Sequence, residues 1–272
     1  MKTRRELLED GYKGVDFYLT KSCNKSCHYC TAWTLEMRNL HVDMDFLRHT
    51  LECFKGHKII FNILGGEPGL VKNLTEVINM IKEYDTFVVS ILSNSFVRKR
   101  YSEVLEDPTI YYMEHLVLDF HEDKIEKLGN FEFFEKNDLN NYNVVIMTPN
   151  YFKYRENFDL SILDHENTQF KEFNSRSPDW TETDQAPEFD RRMCAAFPKV
   201  PVIDFEIKKL RHCSKKVING SRQFDITPEN IEKMMNYELF EFEEYCKKCT
   251  EFIEKRFPED ILDIVAAGAV MK

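Results

Sequence analysis

Six apolar runs of strand length punctuate the first 174 residues, with stretches of helical spacing between them. VDFYLT (15–20) reads as a buried strand, and a second run, HKIIFNILGGEPG (57–69), ends in a glycine turn. Between them VDMDFLRHTLECF (42–54) has helical spacing. Asp43 or Asp45 is its expected N-cap, because a short carboxylate accepts from the free N–H groups of a first turn. LVKNLTEVINMIKEY (70–84) reads as an amphipathic helix, TFVVSILSNS (86–95) as the third strand, and FVRKRYSEVLED (96–107) as a helix halted by Pro108. MEHLVLDFHED (113–123), NYNVVIMTPN (141–150) and NTQFKEFN (167–174) are the fourth, fifth and sixth strands. Strand–helix alternation implies a parallel sheet with right-handed crossovers. Six units cannot close a barrel of about eight strands. The expected class is therefore α/β, a partial (β/α)6 barrel of parallel strands with ligands bound at their carboxyl ends.

The residues with chemical potential fall at those ends. TKSCNKSCHYC (20–30) follows the first strand, Gly65-Gly66-Glu67-Pro68 the second, Ser93-Asn94 the third, and His121, Glu122 and Asp123 the fourth. Read alone, GGEP is a tight turn, and Ser93-Asn94 is either a helix N-cap or a ligand contact.

Of the eight cysteines, Cys23, Cys27 and Cys30 form a tight trio, and Cys194, Cys213, Cys246 and Cys249 a later quartet; none lies between Cys53 and Cys194. The opening MKTRRELLEDGYKG lacks the apolar segment of a signal peptide, and no apolar run is long enough for a membrane span. The expectation is a cytoplasmic chain with reduced thiols and two metal sites rather than a disulfide scaffold. Three thiolates are one short of a structural zinc site, unless Cys53 or His28 is borrowed. Their spacing on a loop after a buried strand better suits a cubane cluster with one iron left open. Cys53, on a helix beside Phe46 and Phe54, reads as a core residue.

A formal net charge of −10 weighs against a nucleic-acid binder. Lys25, Lys72, Arg98, Lys99 and Arg100 are either a local basic patch or ordinary solvated surface. A composition of 43% hydrophobic and 13% aromatic residues argues for a packed core rather than disorder. Composition then breaks at SRSPDWTETDQAPEFDRR (175–192), a linker or a loop over the barrel mouth. KVPVIDFEIKKLRHC (199–213) looks like a hairpin delivering Cys213, and residues 227–257 look largely helical around Cys246 and Cys249. The expected organisation is a barrel domain over 1–175, a small α+β domain over 176–257 and a tail over 258–272.

Cys23-Asn24-Lys25-Ser26-Cys27-His28-Tyr29-Cys30 matches the Cys-x3-Cys-x-aromatic-Cys signature, and Gly65 to Pro68 reads as the second motif in register with it. On these residues the chain resembles the radical S-adenosylmethionine superfamily over roughly residues 15–175. The resemblance implies a 4Fe–4S cluster on Cys23, Cys27 and Cys30 whose open iron binds S-adenosylmethionine. It also implies cofactor contacts from Tyr29, Gly65, Gly66, Glu67, Pro68, Ser93 and Asn94. The quartet resembles the Twitch domain, a shortened SPASM domain, which would place an auxiliary 4Fe–4S cluster on Cys194, Cys213, Cys246 and Cys249. Lys208 stands where that pattern usually has glycine, and a structural zinc site is the alternative for the quartet.

The implied activity is reductive cleavage of S-adenosylmethionine to a 5′-deoxyadenosyl radical and hydrogen abstraction. The net reaction would be a two-electron oxidation of a small hydroxylated, sugar-like substrate. Alternatives are maturation of a ribosomally made peptide by epimerisation, crosslinking or side-chain oxidation, and a zinc-stabilised binding module without activity. The implied partners are the small-molecule or peptide substrate and a one-electron reductant such as flavodoxin or ferredoxin. His121, Glu122, Asp123 and Arg176 are candidate acid–base or substrate-anchoring residues, or ordinary loop residues.

Overall fold

The computed structural model describes residues 2–25, 40–117, 142–149, 168–173, 201–211, 223–236 and 238–239. A short helix, α1 (Arg4–Glu9), opens the chain, held by a reciprocal capping box between Thr3 and Glu6. The main run follows as β1 (Lys13–Thr20), α2 (Met44–Cys53), β2 (Ile59–Gly65), α3 (Leu74–Lys82) and β3 (Phe87–Ser93). Next come α4 (Phe96–Arg100), α5 (Ser102–Leu105), β4 (Tyr111–Val117), β5 (Tyr142–Pro149) and β6 (Thr168–Phe173). β7 (Val202–Asp204), β8 (Lys209–Arg211) and α6 (Pro228–Met235) complete the described elements.

One eight-stranded sheet runs in the order β6-β5-β4-β3-β2-β1-β7-β8. The pairs from β6 through to β7 are parallel, and β7–β8 is antiparallel. The six expected strands therefore lie side by side in chain order. β1 is buried continuously from Val15 to Thr20, as a parallel strand covered on both faces must be. On one face Val15, Phe17, Leu19, Phe61, Ile63, Val89 and Ile91 join the core, against Leu47, Leu51 and Phe54 of the α2 region and Leu74, Val77 and Ile81 of α3. Phe17 and Phe61 meet with ring centroids 4.3 Å apart, and Phe54 packs edge-on to Phe61.

Local chemistry explains the element ends. Asp43 caps α2 by accepting from the N–H groups of Asp45 and Phe46, each at 3.0 Å. The helix expected from residue 70 starts instead at Leu74. Before it, Pro68–Leu70 form a 3-10 turn, and the Asn73 amide bonds both the N–H and the carbonyl of Val42. The single helix expected over 96–107 is two helices broken at Tyr101. Its hydroxyl turns inward to the carbonyls of Val71 and Lys72, so tertiary anchoring overrides the helical run.

The hairpin expected over 199–213 is present as β7 and β8, with Lys208 at φ 56 in its turn. That is the left-handed conformation a glycine adopts without cost, so the turn keeps the glycine geometry with a lysine in place. Within the stretch expected to form the small domain over 176–257, Val202–Asp204 pair with Asp16–Tyr18 and so join the first sheet. Ile203, Phe205 and Leu210, with Ile231, Met234 and Met235 of α6, share the same core. Among the described residues no helix is long and apolar enough to cross a membrane.

Candidate functional site at the carboxyl ends of β1, β2 and β3

Three loops converge where these strands end. The β1–β2 ladder shifts register after Tyr18, so that Thr20 pairs with Gly65. The Gly66 N–H then donates to the Thr20 carbonyl at 2.7 Å and the Glu67 N–H to that of Ser22 at 2.8 Å. Backbone therefore lies directly on backbone. A Cβ at Gly66 would stand 2.0 Å from the Ser22 carbonyl oxygen, and one at Gly65, whose φ is 141, would stand 2.2 Å from that of Thr20. The absence of side chains at Gly65 and Gly66 lets the start of the cysteine loop lie directly against them.

Glu67 is fully buried. Its carboxylate accepts from the Gly69 N–H at 2.8 Å, the Ser93 hydroxyl at 2.8 Å and the Asn94 N–H at 2.7 Å. Burial pushes its carboxyl above the usual range, while those three donors and the nearby charge of Lys25 pull in the other direction. Within GGEP, Glu67 thus braces the end of β2 against the end of β3, and Pro68 starts the 3-10 turn.

Ser93 and Asn94 behave differently. The Ser93 hydroxyl also accepts from the Val97 N–H in the first turn of α4, whose N-cap position is Ser95. The Asn94 amide faces the cysteine loop: its Nδ2 lies 3.6 Å from Cys23 Sγ and 2.9 Å from Asn24 Oδ1. Its Oδ1 is buried with no hydrogen-bond partner among the described residues. Cys23 Sγ also accepts from the Lys25 N–H at 3.4 Å, and the Lys25 ammonium bonds the Asn94 carbonyl. Cys23 is partly exposed at this rim.

Cys23 is the one expected cluster ligand among the described residues, which hold no group of three metal-ligating side chains. A soft thiolate carrying N–H donors is a ligand for iron, and the orphan acceptor on Asn94 sits where a bound molecule could supply a donor. Cys53 is buried in the core, and burial pushes its thiol up, away from the thiolate a metal needs. Tyr29, Cys27, Cys30, His121, Glu122, Asp123, Arg176, Cys194, Cys213, Cys246 and Cys249 lie outside the described residues. Of the basic residues, Lys25 is tied to Asn94 and Arg100 to the carbonyls of Gly69 and Leu70, while Lys72 and Lys99 are exposed.

Two polar groupings escaped the sequence reading. On the sheet face opposite α2 and α3, where α1 lies, Asp16, Asn62 and Ser90 form one row across β1, β2 and β3. Arg4 reaches that row, donating to Asn62 at 2.9 Å and Ser90 at 3.1 Å, and Asn62 donates to Asp16 at 2.8 Å. Burial lowers the affinity of Arg4 for its proton, and the charge of Asp16 opposes that shift. Polar residues inside otherwise apolar strands were the available signal, but nothing local named Arg4 as their partner. The second grouping joins Lys21, Asp204, Glu206 and Arg211 below the cysteine loop.

No family model matches the chain. The S-adenosylmethionine-dependent nucleotide dehydratase of Fibrobacter sp. (strain UWH6) is 35% identical over 89 residues, 29% of this chain and 26% of that protein. The 7-carboxy-7-deazaguanine synthase of Clostridium acetobutylicum is 28% identical over 138 residues, 49% of this chain and 61% of that protein. The chain thus spans only 26% and 61% of the lengths of these curated relatives. Among solved structures, BtrN in complex with AdoMet and 2-DOIA superposes with a TM-score of 0.53 at 14% identity, over 94% of this chain and 88% of BtrN. Streptococcus suis SuiB bound to the precursor peptide SuiA also gives 0.53, at 11% identity, over 96% of this chain and 72% of SuiB. At these identities the structural likeness is one of fold. Together with the sequence relatives it indicates the radical S-adenosylmethionine superfamily.

Proposed function

We propose that this chain is a radical S-adenosylmethionine oxidoreductase acting on a small hydroxylated, sugar-like substrate. The observation that carries the reading is the meeting of Cys23, the GGEP turn and Asn94 at the carboxyl ends of three adjacent parallel strands. Cys23, Cys27 and Cys30 would hold a 4Fe–4S cluster, and Cys194, Cys213, Cys246 and Cys249 an auxiliary one. When bound, the first cluster supplies the electron that splits S-adenosylmethionine into methionine and the 5′-deoxyadenosyl radical that abstracts hydrogen.

The chain's own residues supply position. Asn94 directs its amide N–H at Cys23 Sγ and would offer its carbonyl oxygen, unpartnered among the described residues, to a bound cofactor. The Gly65–Pro68 turn, held rigid by the Glu67 carboxylate, would contact the methionine group. Four thiolates leave no open iron at the auxiliary site, which suits acceptance of the electron left after hydrogen abstraction. A small substrate is supported by the fold shared with BtrN, which was solved with AdoMet and 2-DOIA. The equal likeness to SuiB bound to SuiA favours a second reading, a peptide maturase.

The test is anaerobic reconstitution of the full chain with a one-electron reductant. About eight irons per chain are expected, four per cubane. 5′-Deoxyadenosine should form, and Cys27→Ala should abolish it. Cys249→Ala should spare cleavage and block net oxidation; full turnover by that variant rejects the electron-acceptor role. Zinc at both sites with no iron overturns both readings in favour of a binding module. Turnover on a peptide but on no polyol or amino sugar selects the second.

A further inference from the structure

The chain carries a formal net charge of −10, yet cations gather beside the ends of β2 and β3. Lys72 follows the GGEP turn, and Arg98, Lys99 and Arg100 are consecutive on α4. The fold brings these two stretches together. α4 lies directly on the 3-10 turn after GGEP: a Cβ at Gly69 would stand 2.7 Å from the Val97 nitrogen. The Arg100 guanidinium donates to the carbonyls of Gly69 at 3.3 Å and Leu70 at 3.4 Å. The Tyr101 hydroxyl donates to the Lys72 carbonyl at 3.2 Å. Lys72 and the end of α4 thus share one ridge. That ridge adjoins the candidate site, because the residue two before α4 is Asn94, whose amide lies 3.6 Å from Cys23 Sγ.

Lys72, Lys99 and Arg100 are exposed, and Arg98 is half-buried. Glu67 does not offset them at the surface, since its carboxylate is buried and turned to N–H and hydroxyl donors, with the charge of Lys25 nearby. Glu76 and Glu103 are exposed, and their charges reach Tyr101 together with that of Arg100. Two carboxylates against four cations leave the ridge net positive. Charges spread over an exposed ridge on two elements steer a large partner of opposite sign. A small anion would instead need donors converging on one point.

We propose that the ridge of Lys72, Arg98, Lys99 and Arg100 is the docking surface for an acidic electron-carrier protein. This inference rests on the reading given under Proposed function, which needs one electron delivered from outside the chain. The carrier is oxidised by one electron and the Cys23 site is reduced by one; no bond forms or breaks in that step. Docking on α4 would set the carrier against the wall formed by Asn94 and Cys23.

The test uses the full chain, reconstituted without air, with flavodoxin as the carrier and dithionite as a small reductant that needs no docking. Wild-type 5′-deoxyadenosine formation with dithionite comes first. Its failure removes the proposed function; success there without flavodoxin binding removes only the docking surface. Calorimetric titration should show flavodoxin binding that weakens as ionic strength rises from about 0.01 M to about 0.15 M, where the screening length falls from about 30 Å to about 8 Å. In the variant carrying Lys72→Glu and Lys99→Glu, both exposed positions, binding at low salt should weaken about ten-fold and lose most of its salt dependence. Flavodoxin-driven 5′-deoxyadenosine formation should fall with it, while the dithionite-driven rate stays at wild type. An equal loss with both reductants, or unchanged flavodoxin binding, overturns the proposal. Tighter binding of a single-stranded RNA oligomer than of flavodoxin, lost in the same variant, overturns it in favour of a nucleic-acid surface.

Discussion

The Glu67 carboxylate meets the backbone N–H of Asn94 at 2.7 Å, and this bond ties the end of β2 to the end of β3. Because Asn94 in turn faces Cys23 and Asn24, the brace fixes one wall of the candidate cluster site. Glu67→Gln would turn a donor toward backbone and hydroxyl donors at a fully buried position. It should cost about 1–3 kcal/mol in urea unfolding and weaken S-adenosylmethionine binding. An unchanged unfolding midpoint together with unchanged affinity would reject the brace.

The glycines of the turn differ from those elsewhere in what surrounds them. At Gly66 a methyl group would meet the Ser22 carbonyl oxygen at 2.0 Å and that of Lys21 at 2.6 Å, both backbone atoms. At Gly56, with φ 93, nothing lies within 4 Å. Gly56→Ala should therefore cost only the left-handed strain of about 1–2 kcal/mol. Gly66→Ala should cost more and also lower iron incorporation, since it displaces the cysteine loop. Equal unfolding midpoints for the two variants would contradict this account.

Lys208 holds a positive φ that suits glycine. Its ammonium pairs with Asp43 at 2.5 Å and lies 5.6 Å from the Phe46 ring centroid, with the lysine and aspartate side chains about half exposed. Exposed pairs contribute about 0–1 kcal/mol, and relief of left-handed strain returns about 1–2 kcal/mol. Lys208→Gly should leave stability unchanged or raise it by about 1 kcal/mol. A loss larger than that would mean the ion pair outweighs the backbone.

Tyr84 donates to Glu52 at 2.5 Å, and burial followed by that hydrogen bond pushes its hydroxyl up to about 12. An unfolded tyrosine titrates near 10. With the folded value raised, the contribution is complete below the unfolded value and is lost as pH rises through the folded one. Stability should therefore fall between about pH 10 and about pH 12. Tyr84→Phe should flatten that fall in denaturant unfolding across the range; an identical slope in both proteins would refute the assignment.

Strand order was legible because buried parallel strands must be apolar over their whole length, and VDFYLT, the run ending in GGEP and TFVVSILSNS satisfy that demand. Asp43 was legible as a cap because capping is local chemistry between neighbours in the chain. The α1 helix was missed although Thr3 and Glu6 form a readable capping box; its few residues carry little apolar period. The break at Tyr101 could not be read, because the carbonyls that draw its hydroxyl inward belong to Val71 and Lys72.

By itself the sequence determined the order of the six parallel strands and the loops on which the candidate site residues sit. Periodicity, capping and ligand spacing all act within a few residues, so the chain states them directly. Only the tertiary structure decided that Gly66 makes room for Ser22, that Asn94 rather than Ser93 turns to Cys23, and that β7 and β8 join the first sheet. Those outcomes depend on which distant backbone comes within a few ångströms. The clearest case is Asp204: its meaning comes from two cations 183 and 7 positions away, brought together because a buried charge is stable only where its partners are.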